Sequence, residues 1–168
     1  RARRWPHAML CTSTHDSKRS EDVRSRIDVL SELHGEWRAH LKHWRRVNRA
    51  KRSLVDGAPA PSPNDEYLLY QTLLGAWPCR GGGADDLEVF GQRIQAYLRK
   101  AVREAKVHSS WINPNADYEV ALDRFVASLL DRPEKNPFLA DFLPFQQLLA
   151  RLGALNSLSQ TVLKLTVP

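Results

Sequence analysis

The chain has 168 residues, 42% of them hydrophobic and 26% charged, and carries a formal net charge of +6. This length and balance are typical of one globular domain with a buried core and exclude a disordered or fibrous chain. No segment approaches the ~20 apolar residues that cross a bilayer, and no secretory signal pattern occurs, so we expect no membrane partner. The two cysteines are too few for a disulfide framework, which favours a reducing, cytoplasmic location.

The N-terminal region combines a short apolar run with a dense set of charges. Residues 8–11 (AMLC) form the only segment that predicts a strand, and His15 and Asp16 follow closely. This layout suits a strand that ends at the mouth of an active site, where a carboxylate faces a ligand. It also suits the solvated first turn of a surface helix, which is the commoner setting for an isolated His-Asp pair. The residues alone leave both interpretations open.

The first long helix is predicted to begin after Ser20. Serine is a favourable N-cap, and the two acids that follow it complement the helix dipole. Apolar residues then recur at helical spacing, with arginines and lysines opposite. The predicted core positions are Val23, Ile27, Leu30, Leu33, Trp37, Leu41 and Trp44. We expect a break near Gly35, because an unbroken helix of ~30 residues would be about 45 Å long.

The middle of the chain predicts two further helices separated by loops. Residues 56–63 (DGAPAPSP) are predicted to be a loop, because three prolines and a glycine cannot continue a helix. Ser62 followed by proline is a helix start signal, and Pro78 ends that helix. A glycine-rich loop at residues 80–84 precedes a strongly periodic helix that begins at Asp85.

The C-terminal half predicts three more helices. Residues 109–115 (SSWINPN) interrupt the periodicity, and the next helix ends at Pro133. Asn136 is predicted to cap the following helix, Gly153 to end it, and Asn156 to begin the last one. The predicted core positions of the last two helices are Phe138, Phe142, Phe145, Leu148, Leu149, Leu152, Leu158, Val162 and Leu165. The sequence therefore predicts an all-α irregular bundle of five or six helices.

Three residue groups have both a functional and a structural interpretation. His34, His40 and His43 lack a nearby cysteine or carboxylate to complete a zinc site, so we expect solvated histidines and no metal. Trp37 and Trp44 are seven residues apart on one helix face, which favours core packing over stacking on a ligand. The basic residues at 38–52 permit a nucleic-acid-binding helical module, although such a run is usually a solvated helix face.

Four stretches carry a family resemblance. They are residues 12–26 (TSTHDSKRSEDVRSR), 64–78 (NDEYLLYQTLLGAWP), 93–115 (RIQAYLRKAVREAKVHSSWINPN) and 156–168 (NSLSQTVLKLTVP). In this order they resemble signature segments of the maltooligosyl trehalose synthases of the alpha-amylase superfamily. The family's enzymes are much longer, and we find no match here for two of their catalytic carboxylates, which lie on other barrel strands.

The resemblance implies a helical insertion of a larger (β/α)8 barrel enzyme. Residues 1–19 would be the end of a catalytic-barrel strand with its active-site loop. Residues 20–152 would be the helical insertion, and residues 153–168 a barrel helix leading to the last strand. An N-terminal Arg and a single Met agree with a piece of a longer protein, whose remaining barrel would be the partner of this chain.

The implied activity is that of a (1->4)-alpha-D-glucan 1-alpha-D-glucosylmutase, an isomerase without a metal or organic cofactor. Such an enzyme converts the reducing-end α-1,4 linkage of maltooligosaccharides to α,α-1,1 by intramolecular transglycosylation. Amylase-type hydrolysis is a further possibility within the superfamily. Because one carboxylate cannot act as nucleophile, acid/base and stabiliser together, we expect the chain alone to be inactive. The resemblance also implies a maltooligosaccharide substrate and no nucleic-acid partner.

The resemblance also implies roles for individual residues. Asp16 would be the third catalytic carboxylate, and His15 a sugar-binding imidazole beside it. Lys18 and Arg19 are predicted to bind substrate, and their charges would favour the ionised carboxylate. The polar cluster at residues 106–113 borders a glucan cleft or caps a helix, and the sequence does not decide between the two.

Overall fold

The computed structural model describes residues 3–4, 11–78, 84–131 and 133–166, which form six α-helices and one β-hairpin. The predicted all-α bundle of five or six helices is confirmed, whereas residues 8–10 of the predicted strand lie outside the described residues. The helices are α1 (Glu21–Asp28), α2 (His34–Val47), α3 (Pro63–Ala76), α4 (Ala84–Ala105), α5 (Ala116–Leu130) and α6 (Pro137–Thr166). The hairpin consists of β1 (Ser53–Val55) and β2 (Ala58–Ala60).

The hairpin corrects the prediction of a simple loop at residues 56–63. Its strands pair antiparallel, with Ser53 opposite Ala60. The two-residue turn is Asp56-Gly57, and both residues have positive φ, 52° and 77°. An Asp-Gly pair is a strong hairpin signal because both residues tolerate the left-handed conformation that the turn requires.

Three helix starts agree with the predicted caps. The side-chain oxygens of Ser20, Ser62 and Asn136 each accept a hydrogen bond from a backbone N–H in the first turn of α1, α3 and α6. These side chains satisfy donors that have no partner inside the helix. The predicted break near Gly35 occurs earlier, since a 3-10 turn at Val29–Ser31 separates α1 from α2 and Gly35 lies in the first turn of α2.

Gly153 does not end a helix and Asn156 does not begin one, so both predictions were wrong. α6 runs without interruption through Gly153, which is buried against α1. A Cβ at Gly153 would lie 2.7 Å from Arg26 Cγ, and one at Gly75 of α3 would lie 2.6 Å from Val23 Cγ1. The two glycines therefore let α1 pack closely between α3 and α6.

The core is aromatic where α2 meets α3 and α6. The ring of Trp44 is fully buried, and its centroid lies 5.4–5.5 Å from those of Tyr70, Phe138 and Phe142. Trp37 is buried as well, which confirms the prediction that both tryptophans pack in the core. Aromatic pairs at these separations add to the free energy of burial.

The distal half of α6 lies against little of the described chain. Leu158, Val162 and Leu165 are 57–81% exposed, and Leu148 is 41% exposed, so their predicted burial was wrong. Helical periodicity places apolar residues on one face but does not supply the surface that covers them. None of the described helices combines the length and apolar content needed to cross a bilayer.

Candidate active-site turn and the adjoining groove

His15 and Asp16 lie in a short 3-10 turn, His15–Ser17, whose ends are fixed by hydrogen bonds. Thr14 caps the turn: its hydroxyl accepts from the Ser17 N–H at 3.3 Å, and its own N–H donates to Ser17 Oγ at 3.2 Å. Lys18 follows in the left-handed conformation, with φ 58°. A non-glycine residue adopts the left-handed conformation infrequently. The hydrogen bonds around the turn therefore stabilise the conformation of Lys18.

The turn presents the Asp16 carboxylate to solvent. The side chain of Asp16 is 91% exposed and that of His15 is 78% exposed. His15 Nδ1 lies 3.1 Å from Asp16 Oδ1. An Nδ1–H that donates to the carboxylate leaves Nε2 of the ring as an acceptor. The pair therefore offers carboxylate and imidazole acceptors side by side.

An open groove of about 520 Å³ separates this loop from α4. Polar, charged and aromatic side chains line it together, which suits a ligand with hydroxyl groups and an apolar ring face. Asp16 is not among the lining residues but adjoins His15, which is. The lining residues are Ser13, Thr14, His15, Lys18, Arg19, Ser20, Leu68, Tyr97, Lys100, Ala101 and Glu104.

The sequence did not indicate that α4 forms one wall of this groove. Tyr97, Lys100 and Glu104 follow one another at helical spacing, and Lys100 Nζ lies 3.8 Å from Glu104 Oε1. The periodicity of α4 predicts that Tyr97 faces a core, and Tyr97 is indeed partly buried. The loop at residues 12–20 packs across this face of α4 through contacts between residues distant in sequence. Helical periodicity does not indicate such contacts.

Arg19 is partly buried, unlike Lys18 and Ser20 on either side of it, which are exposed. One guanidinium nitrogen donates to Thr72 Oγ1 of α3 at 3.1 Å. The guanidinium carbon lies 5.6 Å from the ring centroid of Tyr97 in α4. A role of Arg19 in substrate binding stays a prediction, and the structure adds these two contacts within the protein.

The polar cluster at residues 106–113 forms part of a tightly bonded turn between α4 and α5. Glu119 accepts two hydrogen bonds from Arg103, at 2.7 and 2.6 Å, and one from Ser109 Oγ at 2.6 Å. The bonds from Arg103 lower the pKa of Glu119 below its usual value. Trp111 is 57% exposed and lies over the Arg103 guanidinium. These contacts agree with the helix-capping interpretation of the cluster.

His40 is not a solvated histidine, which corrects the prediction for that residue. Its Nδ1 lies 2.7 Å from Asp141 Oδ2, and its ring centroid lies 4.3 Å from that of Phe145. Trp44 Nε1 donates to the same carboxylate oxygen at 2.6 Å. Within residues 11–78, 84–131 and 133–166, no group of three or more His, Cys, Asp or Glu side chains could hold a metal ion.

The basic run at residues 38–52 is partly engaged inside the protein. Glu66 of α3 is fully buried, and Arg52 and Arg45 lie 2.6 and 3.6 Å from its Oε2. Tyr70 donates to the other oxygen at 2.8 Å. Part of the positive charge at residues 38–52 thus neutralises a buried acid, which weakens the case for a nucleic-acid interface.

Similarity to known proteins gives this site a context. No protein-family model matches the chain. It is 38% identical over 133 residues to the maltooligosyl trehalose synthases of two Mycobacterium tuberculosis strains, an alignment that covers 79% of this chain and 16% of the relative. A crystal structure of the Sulfolobus tokodaii maltooligosyl trehalose synthase matches with a TM-score of 0.76 and 35% identity, covering 94% of this chain and 20% of that one.

The chain is similar to one segment of the maltooligosyl trehalose synthases. A second crystal structure of a maltooligosyl trehalose synthase matches with a TM-score of 0.71 and 34% identity. The resemblance carried by the four sequence stretches is thereby confirmed. The chain spans only 16% of the mycobacterial synthases, so most of their length has no counterpart in it.

Proposed function

We propose that the chain forms one wall of the carbohydrate-binding active site of a maltooligosyl trehalose synthase. The observation that carries this proposal is the fixed turn that exposes Asp16 beside a polar, aromatic-lined groove. It is supported by the likeness of the chain to synthases in sequence and fold. The remainder of the barrel, which would complete the site, is the proposed partner.

In this proposal Asp16 stays ionised and accepts hydrogen bonds from sugar hydroxyls. Such bonds strengthen as the sugar acquires oxocarbenium character, and contacts of this kind contribute several kcal/mol at the transition state. His15 and Lys18 contact the same sugar from the groove side. The fixed turn favours stabilisation of the transition state, because a carboxylate that is already oriented needs no reorganisation during the reaction.

The proposed reaction moves one glycosidic linkage within one substrate. A nucleophilic carboxylate attacks the anomeric carbon of the penultimate glucose, and an acid protonates the departing O4 of the terminal glucose. The terminal glucose turns within the site and attacks the glycosyl-enzyme through its anomeric hydroxyl, which loses its proton to the same acid/base residue. The bond that forms is α,α-1,1. The nucleophile and the acid/base, about 5–5.5 Å apart in retaining enzymes, would come from outside this chain.

The first test is the binding of maltopentaose to the chain, followed by NMR. We expect saturable shift changes confined to residues 13–20 and 97–104, and binding about tenfold weaker in Asp16→Asn, since a hydrogen bond to a charged group is at stake. Asp28→Asn is the matched control, because Asp28 is exposed at the end of α1. Binding that Asp16→Asn leaves unchanged would contradict the proposal.

Two further measurements test the proposal: product formation by the chain alone and binding to DNA. The chain alone should form no trehalose-ended product from maltopentaose, and detection of that product would show that the site is complete without the rest of a barrel. A DNA duplex should bind weakly or not at all. An affinity for DNA that falls steeply with salt, without sugar binding, would instead support the basic helical module.

A further inference from the structure

Arg19 connects the active-site turn to two helices of the bundle. It donates to Thr72 Oγ1 in α3 and lies against the ring of Tyr97 in α4. The Thr72 hydroxyl donates its own proton to the Leu68 carbonyl at 2.7 Å, so its oxygen is oriented to accept from Arg19. Thr72 is only 4% exposed and is not among the residues that line the groove.

The same residue belongs to the hydrogen-bonded unit that holds Asp16. Ser17 Oγ lies 2.8 Å from the Thr14 carbonyl and 3.0 Å from the Arg19 carbonyl. The Lys18 N–H donates to the His15 carbonyl. Since these bonds tie the backbone from Thr14 to Arg19 together, a displacement of Arg19 would displace the carboxylate as well.

We propose that Arg19 is a positioning residue that fixes Asp16 and is not itself a sugar ligand. This inference rests on the proposed function and assigns Arg19 a different role from that of Lys18. Both residues line the groove, but Lys18 is exposed whereas Arg19 is partly buried. A guanidinium can donate a hydrogen bond in its plane while its flat face lies on an aromatic ring, and the compact, strongly hydrated ammonium group of lysine does not reproduce this geometry. Misplacement of a reacting or binding group by about 1 Å is enough to cost a large factor in rate.

The decisive variant is Thr72→Val, which removes the acceptor without altering the loop or any group in the groove. Thr72→Ser keeps the hydroxyl and should behave as the unchanged protein. Thr161→Val is the matched control, because Thr161 makes the same hydrogen bond to the carbonyl four residues before it but is exposed on α6. Arg19→Ala and Arg19→Lys test the donor, with the exposed Arg38→Ala as their control.

Two readouts are measured on the full chain: the dissociation constant for maltopentaose and the backbone order parameters of residues 14–18. We expect Thr72→Val to weaken binding about threefold and Arg19→Ala about tenfold, in line with the loss of a charged hydrogen bond. Order parameters in the turn should fall from about 0.85 toward 0.6 in both variants. Thr72→Ser should restore both readouts, and Arg19→Lys should restore neither fully.

The outcomes separate this inference from the proposed function. If Asp16→Asn weakens binding but Thr72→Val changes neither readout, the proposed function stands and the positioning role is wrong. If Arg19→Ala weakens binding without a loss of order in the turn, Arg19 is a direct ligand and the inference is also wrong. If Asp16→Asn leaves binding unchanged, the proposed function fails and the inference fails with it. If the Arg19→Ala variant does not fold, the comparison of Thr72→Val with Thr72→Ser tests the positioning role by itself.

Discussion

Gly153 and Gly75 are where α1 makes its closest approaches to α6 and α3. At Gly153 the neighbour is the backbone of Arg26, whose Cα would lie 2.8 Å from an added Cβ. Backbone atoms cannot rotate away as a side-chain terminus can. The guanidinium of Arg26 donates to the carbonyls of Gly75 and Trp77, at 2.9 and 2.8 Å, so α1 is tied to the end of α3 as well. These contacts hold α1, the first helix after the turn at His15–Ser17, in place.

We predict that Gly153→Ala lowers the free energy of unfolding by about 1–3 kcal/mol, because the added methyl group overpacks the contact with Arg26. Gly35→Ala is the control, since nothing lies within 4 Å of a Cβ there. In a helix that change should raise stability by about 0.5–1 kcal/mol. Urea denaturation measures both. Equal effects of the two changes would contradict the close packing of α1 on α6.

Gly153 also shows what a sequence can and cannot say about one residue. A glycine that ends a helix and a glycine that permits close packing inside one look alike, because the second depends on a residue far away in the chain. His40 is a similar case. Its spacing from His43 is visible in the sequence, but its partner Asp141 lies on another helix. The exposure of Asp16, by contrast, follows from a dense local run of charges.

Glu119 organises the turn between α4 and α5. It accepts hydrogen bonds from Arg103 and Ser109, and the Ser109 hydroxyl in turn accepts from the Asn115 N–H at 3.1 Å. The hydrogen bonds from Arg103 lower the pKa of Glu119. A lowered folded-state pKa means that the carboxylate stabilises the fold at neutral pH. That contribution is lost as the pH falls through the folded-state value.

We predict that Glu119→Gln destabilises the chain clearly at pH 7, whereas Glu104→Gln, which removes only an exposed pair with Lys100, has an effect of at most about 0.5 kcal/mol. The difference in unfolding free energy between the unchanged chain and Glu119→Gln should be constant above the ordinary glutamate pKa of about 4.3 and shrink below it. Thermal unfolding across pH 3–7 measures this. A difference that grows toward acid pH would contradict the account.

The two halves of α6 contribute unequally to stability. Leu149 is fully buried, whereas Leu158 is 62% exposed. We predict that Leu149→Ala lowers the free energy of unfolding by about 2–5 kcal/mol and that Leu158→Ala changes it by less than about 0.5 kcal/mol. Urea denaturation of the two variants checks this. A large effect of Leu158→Ala would show that the distal half of α6 already packs against a partner surface in this chain.

Local sequence signals predicted where helices and turns begin and end, but they did not predict which surfaces cover each helix. Ser20, Ser62 and Asn136 were identifiable as caps because a cap acts within four residues of itself. The Asp56-Gly57 turn carried a hairpin signal of the same local kind, although the prolines around it favoured a loop. The exposure of Leu158 was not predictable, since apolar periodicity is the same for a helix face that is covered and for one that is not.

The molecule as a whole is a helical bundle, and the side chains of His15 and Asp16 are exposed at its surface. Four matching stretches were enough to connect the sequence with the maltooligosyl trehalose synthases, and the likeness extends to the fold. The sequence pointed to the His15–Asp16 pair, but not to the groove between its loop and α4. The groove is lined by residues far apart in the chain, among them Arg19 and Tyr97, which contact each other.

The most direct test joins this chain to the remainder of a maltooligosyl trehalose synthase and measures formation of α,α-1,1-linked product. With Asp28→Asn as the matched control, the account predicts that Asp16→Asn lowers kcat/KM about 10³-fold, since several kcal/mol of transition-state stabilisation are lost. Asp28→Asn should stay within about twofold, as expected for an exposed site away from the groove. An Asp16→Asn enzyme as active as the unchanged one would contradict the claim that this carboxylate belongs to the active site.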